Sequence, residues 1–211
     1  MKEYITRVSI PILWEVLFVI SCVFLPEQYT VYTNFLFYFG IIIFFIRNNN
    51  FSLKELKANL TAGKKFWMPV GVTFLFLALA FVVSYLPKMF FHNLDSGMIN
   101  LERNTWTKLI AFAISTIIFP CLAEELFYRK AMINFKSKKM LFLSTIVSLF
   151  LFALEHSITP YGILQAMIWG IPFSIAYIKT KNIYIPMTAH FISDFIGNFP
   201  SVVITTIHFL H

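Results

Sequence analysis

Apolar residues run along the chain in seven long stretches separated by short polar breaks. The stretches predict helices at about 8–25, 30–46, 66–86, 108–129, 140–157, 161–179 and 183–197, because a run of about 20 apolar residues spans a bilayer's hydrocarbon core. A last apolar piece, Ser201 to Leu210, is short. It reads as a half-span, or as an eighth helix with Phe199 and Pro200 at its start. The polar segment 47–65 contains Ser-Leu-Lys-Glu-Leu-Lys and predicts a short interfacial helix. The segment 87–107 is read as the long outer loop. No internal repeat, Gly/Ser linker or low-complexity tract divides the chain. The expected fold class is all-α, a polytopic transmembrane helix bundle of about seven or eight helices, with residues 1–211 forming a single integral membrane domain.

Composition sharpens that picture. The chain has 211 residues, of which 58% are hydrophobic and only 13% charged, against roughly 25% charged in an ordinary soluble domain. Mean hydropathy is +0.74. A water-soluble enzyme of this size could not hide that much apolar surface, and disorder goes with the opposite composition. The 26 phenylalanines are read as lipid-facing and core packing, not as an aromatic binding box. The net charge of +7 signals topology rather than nucleic acid, because the basic residues fall in short clusters between apolar runs. Fourteen of the 17 Lys and Arg residues, from Lys2 and Arg7 to Lys179 and Lys181, lie at one end of the predicted helices. The opposite loops hold only Lys88, Arg103 and Lys108. Excess Lys and Arg marks the cytoplasmic side, so the N-terminus is expected inside. Lys2 and Arg7 precede an apolar stretch with no small-residue cleavage site after it, which reads as a retained first helix. Cys22 and Cys121 sit inside apolar runs without metal-ligand spacing and read as small core residues.

Candidate chemistry comes from ionisable residues inside the apolar runs, which are costly there and are functional candidates by default. They are Glu15, Glu124, Glu125, Glu155, His156, His190 and Asp194, with Arg129 closing the fourth helix. Residues four apart share a helix face, so Glu125 and Arg129 predict an internal ion pair. Glu124 points about 100° away and lacks that partner. A carboxylate in a dry cavity suits general-base work near neutral pH. His190 and Asp194 are also four apart, as are Phe152 and His156, which puts a ring one turn below the imidazole. At about 1.5 Å per residue from the basic loops, Glu124, His156, His190 and Asp194 all lie within the bilayer, where three helices can bring them together. Glu15 reads as structural or snorkelling, and Glu155 as helix packing or a polar rim pointing away from His156. His92, His208 and His211 carry no signal.

The chain lacks a GxGxxG, a Walker loop, a His-Glu-x-x-His, a Gly-x-Gly-Asp and a Gly-x-Ser-x-Gly. What it has is Glu124-Glu125-Leu126-Phe127-Tyr128-Arg129, then Phe152-Ala153-Leu154-Glu155-His156, then His190-Phe191-Ile192-Ser193-Asp194. Three motifs in this order, EExxxR, FxxxH and HxxxD, resemble the signature of the CAAX-protease and bacteriocin-processing family, also called the Abi family. The resemblance covers a motif-bearing core of about 105–200. It departs from the eukaryotic prenyl proteases of the Ras-converting type at Asp194, where those use Asn.

The resemblance implies an intramembrane endopeptidase, a helical bundle with a cavity open toward the cytoplasm and a peptide or membrane-protein substrate. Glu124 with His156 would activate a water. Glu125 and Arg129 would hold the base in place, and His190 with Asp194 would stabilise an oxyanion. The cofactor stays open. Glu124, His156 and His190 would also make a His₂Glu set for one divalent metal such as zinc, and a metal-free glutamate mechanism suits the same side chains. A non-catalytic bacteriocin-immunity or partner-binding protein of the same family is the alternative, and a small proton-coupled transporter a third reading. Heavy use of Lys, Asn and Phe resembles AT-rich Gram-positive composition, so the expected location is a bacterial cell membrane, multi-pass. The lipid bilayer is an expected partner, nucleic acid is not, and nothing in the sequence speaks to oligomeric state.

Overall fold

The computed structural model describes residues 2–211, with side chains from Arg7 onward; Lys2 therefore lies outside the described side chains. Eight helices make up the described residues: α1 (Lys2–Phe24), α2 (Thr30–Arg47), α3 (Leu53–Leu60), α4 (Lys64–Phe90), α5 (Trp106–Ala131), α6 (Lys138–His156), α7 (Pro160–Thr180) and α8 (Tyr184–Leu210). Six of them, all but α3 and α8, are long and apolar enough to cross a membrane. The chain is accordingly an all-α, multi-pass membrane protein. No strand forms among the described residues beyond one isolated antiparallel bridge between Met98 and Ser157.

Hydroxyl side chains set where the long apolar runs break. Thr105 Oγ1 accepts from Lys108 N at 3.3 Å, Ser137 Oγ from Met140 N at 3.1 Å and Thr159 Oγ1 from Gly162 N at 3.2 Å. Each satisfies a backbone donor that the first turn leaves free. Pro160 follows the last of these caps, at the first position of α7, where its missing N–H costs nothing. Ser52 caps α3 in the same way, accepting from Glu55 N at 3.3 Å. The expected short helix in 47–65 is thus present. It is held to the start of α8 by Tyr184, whose hydroxyl donates to Glu55 Oε2 at 2.9 Å.

α5 is the most buried of the six apolar helices and packs against α2, α6, α7 and α8. It is not a uniform α-helix. Two π-helical stretches, Ile114–Ile118 and Glu125–Ala131, flank the α-helical segment Phe119–Glu124. Pro120 supplies the cause of the first irregularity, since it has no N–H for the carbonyl of Thr116, four residues back. That carbonyl accepts instead from Asn198 Nδ2 of α8 at 3.0 Å. The helix that carries the Glu-Glu pair is therefore pinned to α8 one turn from Pro120.

One expectation changes. The last apolar piece is neither a half-span nor a separate helix, because α8 runs unbroken through Pro200 from Tyr184 to Leu210. The long loop after α4 is present and is tied down. Ile99 N donates to the His156 carbonyl at 3.0 Å and Ser157 Oγ to the Ser96 carbonyl at 2.7 Å. Gly162 permits this approach, because a Cβ there would collide with the Ser96 carbonyl oxygen and with Ser157 Oγ. The connection between α4 and α5 is thus tied to the end of α6, beside the site.

Candidate functional site

The three motifs arrive at one place. Glu124 and Glu125 come from the junction of the α and π segments of α5, His156 from the last residue of α6, and His190 and Asp194 from α8. Glu124 and Glu125 are 1% and 0% exposed. Nearly every hydrogen-bonding atom on this motif therefore needs a partner inside the protein or bound within it.

Glu125 is the hub of the supporting network. Its Oε1 lies 3.4 Å from Arg129 Nη1 and accepts from His190 Nδ1 at 3.0 Å. The expected i,i+4 ion pair is present. The guanidinium lies against aromatic faces, 4.5 Å from the Phe152 ring centroid and 5.3 Å from that of Phe173, and its Nη2 donates to the Gly170 carbonyl at 3.3 Å. Gly170 is needed there, because an added Cβ would come within 3.2 Å of Arg129 Nη2 and 3.0 Å of Phe152. This is an aromatic box for a buried cation. It holds Arg129, and Arg129 with Glu125 holds His190. The His190 ring also stacks on Phe173 at 4.4 Å.

Glu124 leaves α5 in another direction, as the 100° offset predicts, although both carboxylates reach the His190 ring. Its Oε1 accepts from the Tyr38 hydroxyl of α2 at 2.7 Å. Its Oε2 lies 3.7 Å from His190 Nε2, which is itself 3.5 Å from Asp194 Oδ2. Both separations are too long for direct hydrogen bonds, so the two carboxylates lie against one ring nitrogen without bonding to it. His156 Nδ1–H donates to the Phe152 carbonyl at 2.9 Å, which leaves Nε2 as the free nitrogen. Its ring packs on Phe152 at 4.6 Å, the expected one-turn contact.

Two cavities meet at these residues. A polar one of about 200 Å³ is bounded by Asn34, Tyr38, Ser115, Glu124 and Glu155. An apolar one of about 500 Å³ is bounded by Phe74, Phe81, Phe152, Trp169 and Phe173. His156, His190, Asp194 and Asn198 line both. Some of the aromatics expected only to pack or face lipid thus wall a chamber beside the site.

Several readings of single residues are corrected. Of the two readings of Glu155, the structure shows the helix-packing one and not the polar rim. Glu155 is 3% exposed, its Oε1 is hydrogen-bonded to the Tyr38 hydroxyl, and its Oε2 accepts from Tyr128 at 2.7 Å. Tyr38 therefore links Glu155 to Glu124. Glu15 does not snorkel, being 1% exposed, and it lies beside Tyr128 and Glu155. Sequence reasoning missed Tyr38, Asn34 and Ser115, which give no local signal. It also missed Asn198, which did have one, because it lies one further turn along the face of His190 and Asp194.

Among the described residues no group of three or more His, Cys, Asp or Glu side chains is arranged to hold a metal ion. Nδ1 is engaged in both rings, by Glu125 Oε1 in His190 and by the Phe152 carbonyl in His156, which leaves Nε2 of each for the chemistry of the site.

Residues 105–196 match the family model described as Type II CAAX prenyl endopeptidase Rce1-like. That stretch contains all three motifs, and the resemblance to the CAAX-protease and bacteriocin-processing family is borne out over it. No curated protein and no solved structure matches the chain.

Proposed function

We propose that this protein is an intramembrane endopeptidase that cleaves a peptide or membrane-protein substrate by a glutamate-type mechanism, within a single integral membrane domain whose N-terminus is cytoplasmic. The observation that carries the reading is the meeting of three motifs from three helices. Glu124 Oε2 lies 3.7 Å from His190 Nε2, with Asp194 beside it and His156 on the same cavity.

In this mechanism Glu124, with His156 Nε2 nearby, takes a proton from water as the water oxygen bonds to the scissile carbonyl carbon. The carbonyl electron pair moves to oxygen. His190, oriented by its Nδ1–H bond to Glu125, presents Nε2 to that oxygen, and with both ring nitrogens protonated it donates to it. Asp194 lies against the same nitrogen. The tetrahedral adduct collapses with cleavage of the C–N bond, and the proton held by Glu124 passes to the leaving amine. Glu125 and Arg129 keep His190 and the first turn past Glu124 in place. The family match supports membrane protease chemistry of this general kind, and no step here runs through a metal.

The test is cleavage of candidate peptides by the purified protein in proteoliposomes, read by mass spectrometry, for wild type and Glu124→Ala, with and without chelator. Removing a general base costs typically about 10²–10⁴-fold. The expected result is cleavage that is lost by at least that much in Glu124→Ala and kept in chelator. Equal cleavage by wild type and Glu124→Ala would overturn the glutamate mechanism, and no cleavage of any candidate peptide by the wild type would favour a binding or immunity role.

A further inference from the structure

The two cavities at the site differ in chemistry. Away from the shared residues, the walls of the larger offer only the Ser193 hydroxyl and the Trp169 indole. Trp169 spends its indole N–H elsewhere, on Ser84 Oγ at 2.8 Å. The smaller is the reverse. Four buried polar atoms on its lining residues have no hydrogen-bond partner in the protein: Asn34 Oδ1, Ser115 Oγ, Glu124 Oε2 and Asp194 Oδ2. Asn34 and Ser115 are 6% and 1% exposed. A buried polar atom without a partner is costly, so four on the residues lining one cavity mark a place built for a polar occupant.

The atoms also specify that occupant. Three of the four are amide or carboxyl oxygens and the fourth is a hydroxyl, so the guest must be small and donate several hydrogen bonds. A water takes roughly 30 Å³ of liquid volume, and a space of about 200 Å³ holds a small cluster. Met98, Ile99 and Leu101, from the tied connection between α4 and α5, line its remaining side.

We infer that the polar cavity is a water chamber that stores and orients the hydrolytic water, with Asn34 and Ser115 as its positioning residues, while the peptide enters from the apolar chamber. This rests on the peptidase reading. Asn34 lies one turn before Tyr38 on α2 and outside the matched stretch 105–196, so the water site is partly built by a helix the family match does not cover. Tyr38 holds Glu124 Oε1, which directs Oε2 toward the stored water. One water then loses its proton to Glu124 Oε2 as its oxygen bonds to the carbonyl carbon held at the junction by His190.

Radiolytic hydroxyl labelling with mass spectrometry reads bound water without requiring activity. In the wild type in nanodiscs, Tyr38 at 5% exposure and the half-buried Met98 are expected to be labelled quickly, whereas Phe45 at 0% and Phe66 at 2% stay unlabelled. Ser115→Val and Asn34→Leu are expected to suppress labelling at Tyr38 and to lower kcat about tenfold each, the weight of one ordinary hydrogen bond, with KM unchanged. Tyr38 labelling no faster than Phe45 would overturn the proposal. So would variants that dry the chamber yet keep the wild-type kcat. A wild type that labels at Tyr38 but cleaves none of the peptides would sink the peptidase reading and, with it, the assignment of this water to catalysis.

Discussion

Replacing Arg129 by Met tests the network beneath the site. The guanidinium is fully buried, sits 3.4 Å from Glu125 Oε1, and is enclosed by the rings of Phe152 and Phe173 at 4.5 and 5.3 Å. Arg129→Met keeps much of the volume and removes the charge, which leaves Glu125 as a buried carboxylate whose remaining partner is His190. Breaking one side of a buried pair costs about 3–5 kcal/mol. For a chain of this length each kcal/mol moves the midpoint by roughly 2–4 °C, so the expected loss is roughly 6–20 °C in thermal unfolding of the detergent-solubilised protein. The informative partner is the double variant Arg129→Met with Glu125→Gln. The amide oxygen still accepts from His190 Nδ1–H but carries no charge, and neutral replacements of buried ion pairs are often tolerated. Most of the lost stability should return. If the double variant is as unstable as the single one, the uncompensated charge is not the cause. Arg129 would then act through packing against the aromatic box.

Two further variants address the links from α5 to its neighbours. Tyr38→Phe removes the hydroxyl that holds Glu124 Oε1 at 2.7 Å; a hydrogen bond to a charged group is worth about 1.5–3 kcal/mol, so kcat should fall roughly 10- to 150-fold with KM little changed in steady-state peptide cleavage. Asn198→Leu strips the donor from the Thr116 carbonyl that Pro120 leaves free; it should cost about 1–3 kcal/mol in unfolding measurements and speed hydrogen exchange along Ile114–Ile118, and unchanged exchange there would show that Asn198 does not stabilise the π turn.

Much of the candidate site was legible before any coordinates. The pairing of Glu125 with Arg129, of His190 with Asp194 and of His156 with Phe152 follows from i,i+4 spacing alone, because contacts within one helix depend only on its pitch. The links between helices were not. Glu155 is adjacent in sequence to His156 and was expected to face elsewhere; it turns toward Glu124 because Tyr38 from α2 and Tyr128 from α5 both reach it. Glu125 was expected to serve Arg129 and instead also carries His190, which depends on how the π segment of α5 meets α8.

By itself the sequence determined most of the helices and which residues could not sit in lipid without a reason. Those properties are local: apolar length against bilayer thickness, hydroxyl caps at helix starts, the cost of burying charge. The tertiary structure alone decided that α8 continues through Pro200 and that the connection after α4 is tied to α6. It alone decided that a tyrosine from α2 holds the proposed base and that a wet and a dry chamber meet at His156 and His190. These are long-range facts. They follow from how the π turns in α5 aim its side chains and from which face of each neighbour packs there, and no residue's spacing along the chain encodes that meeting.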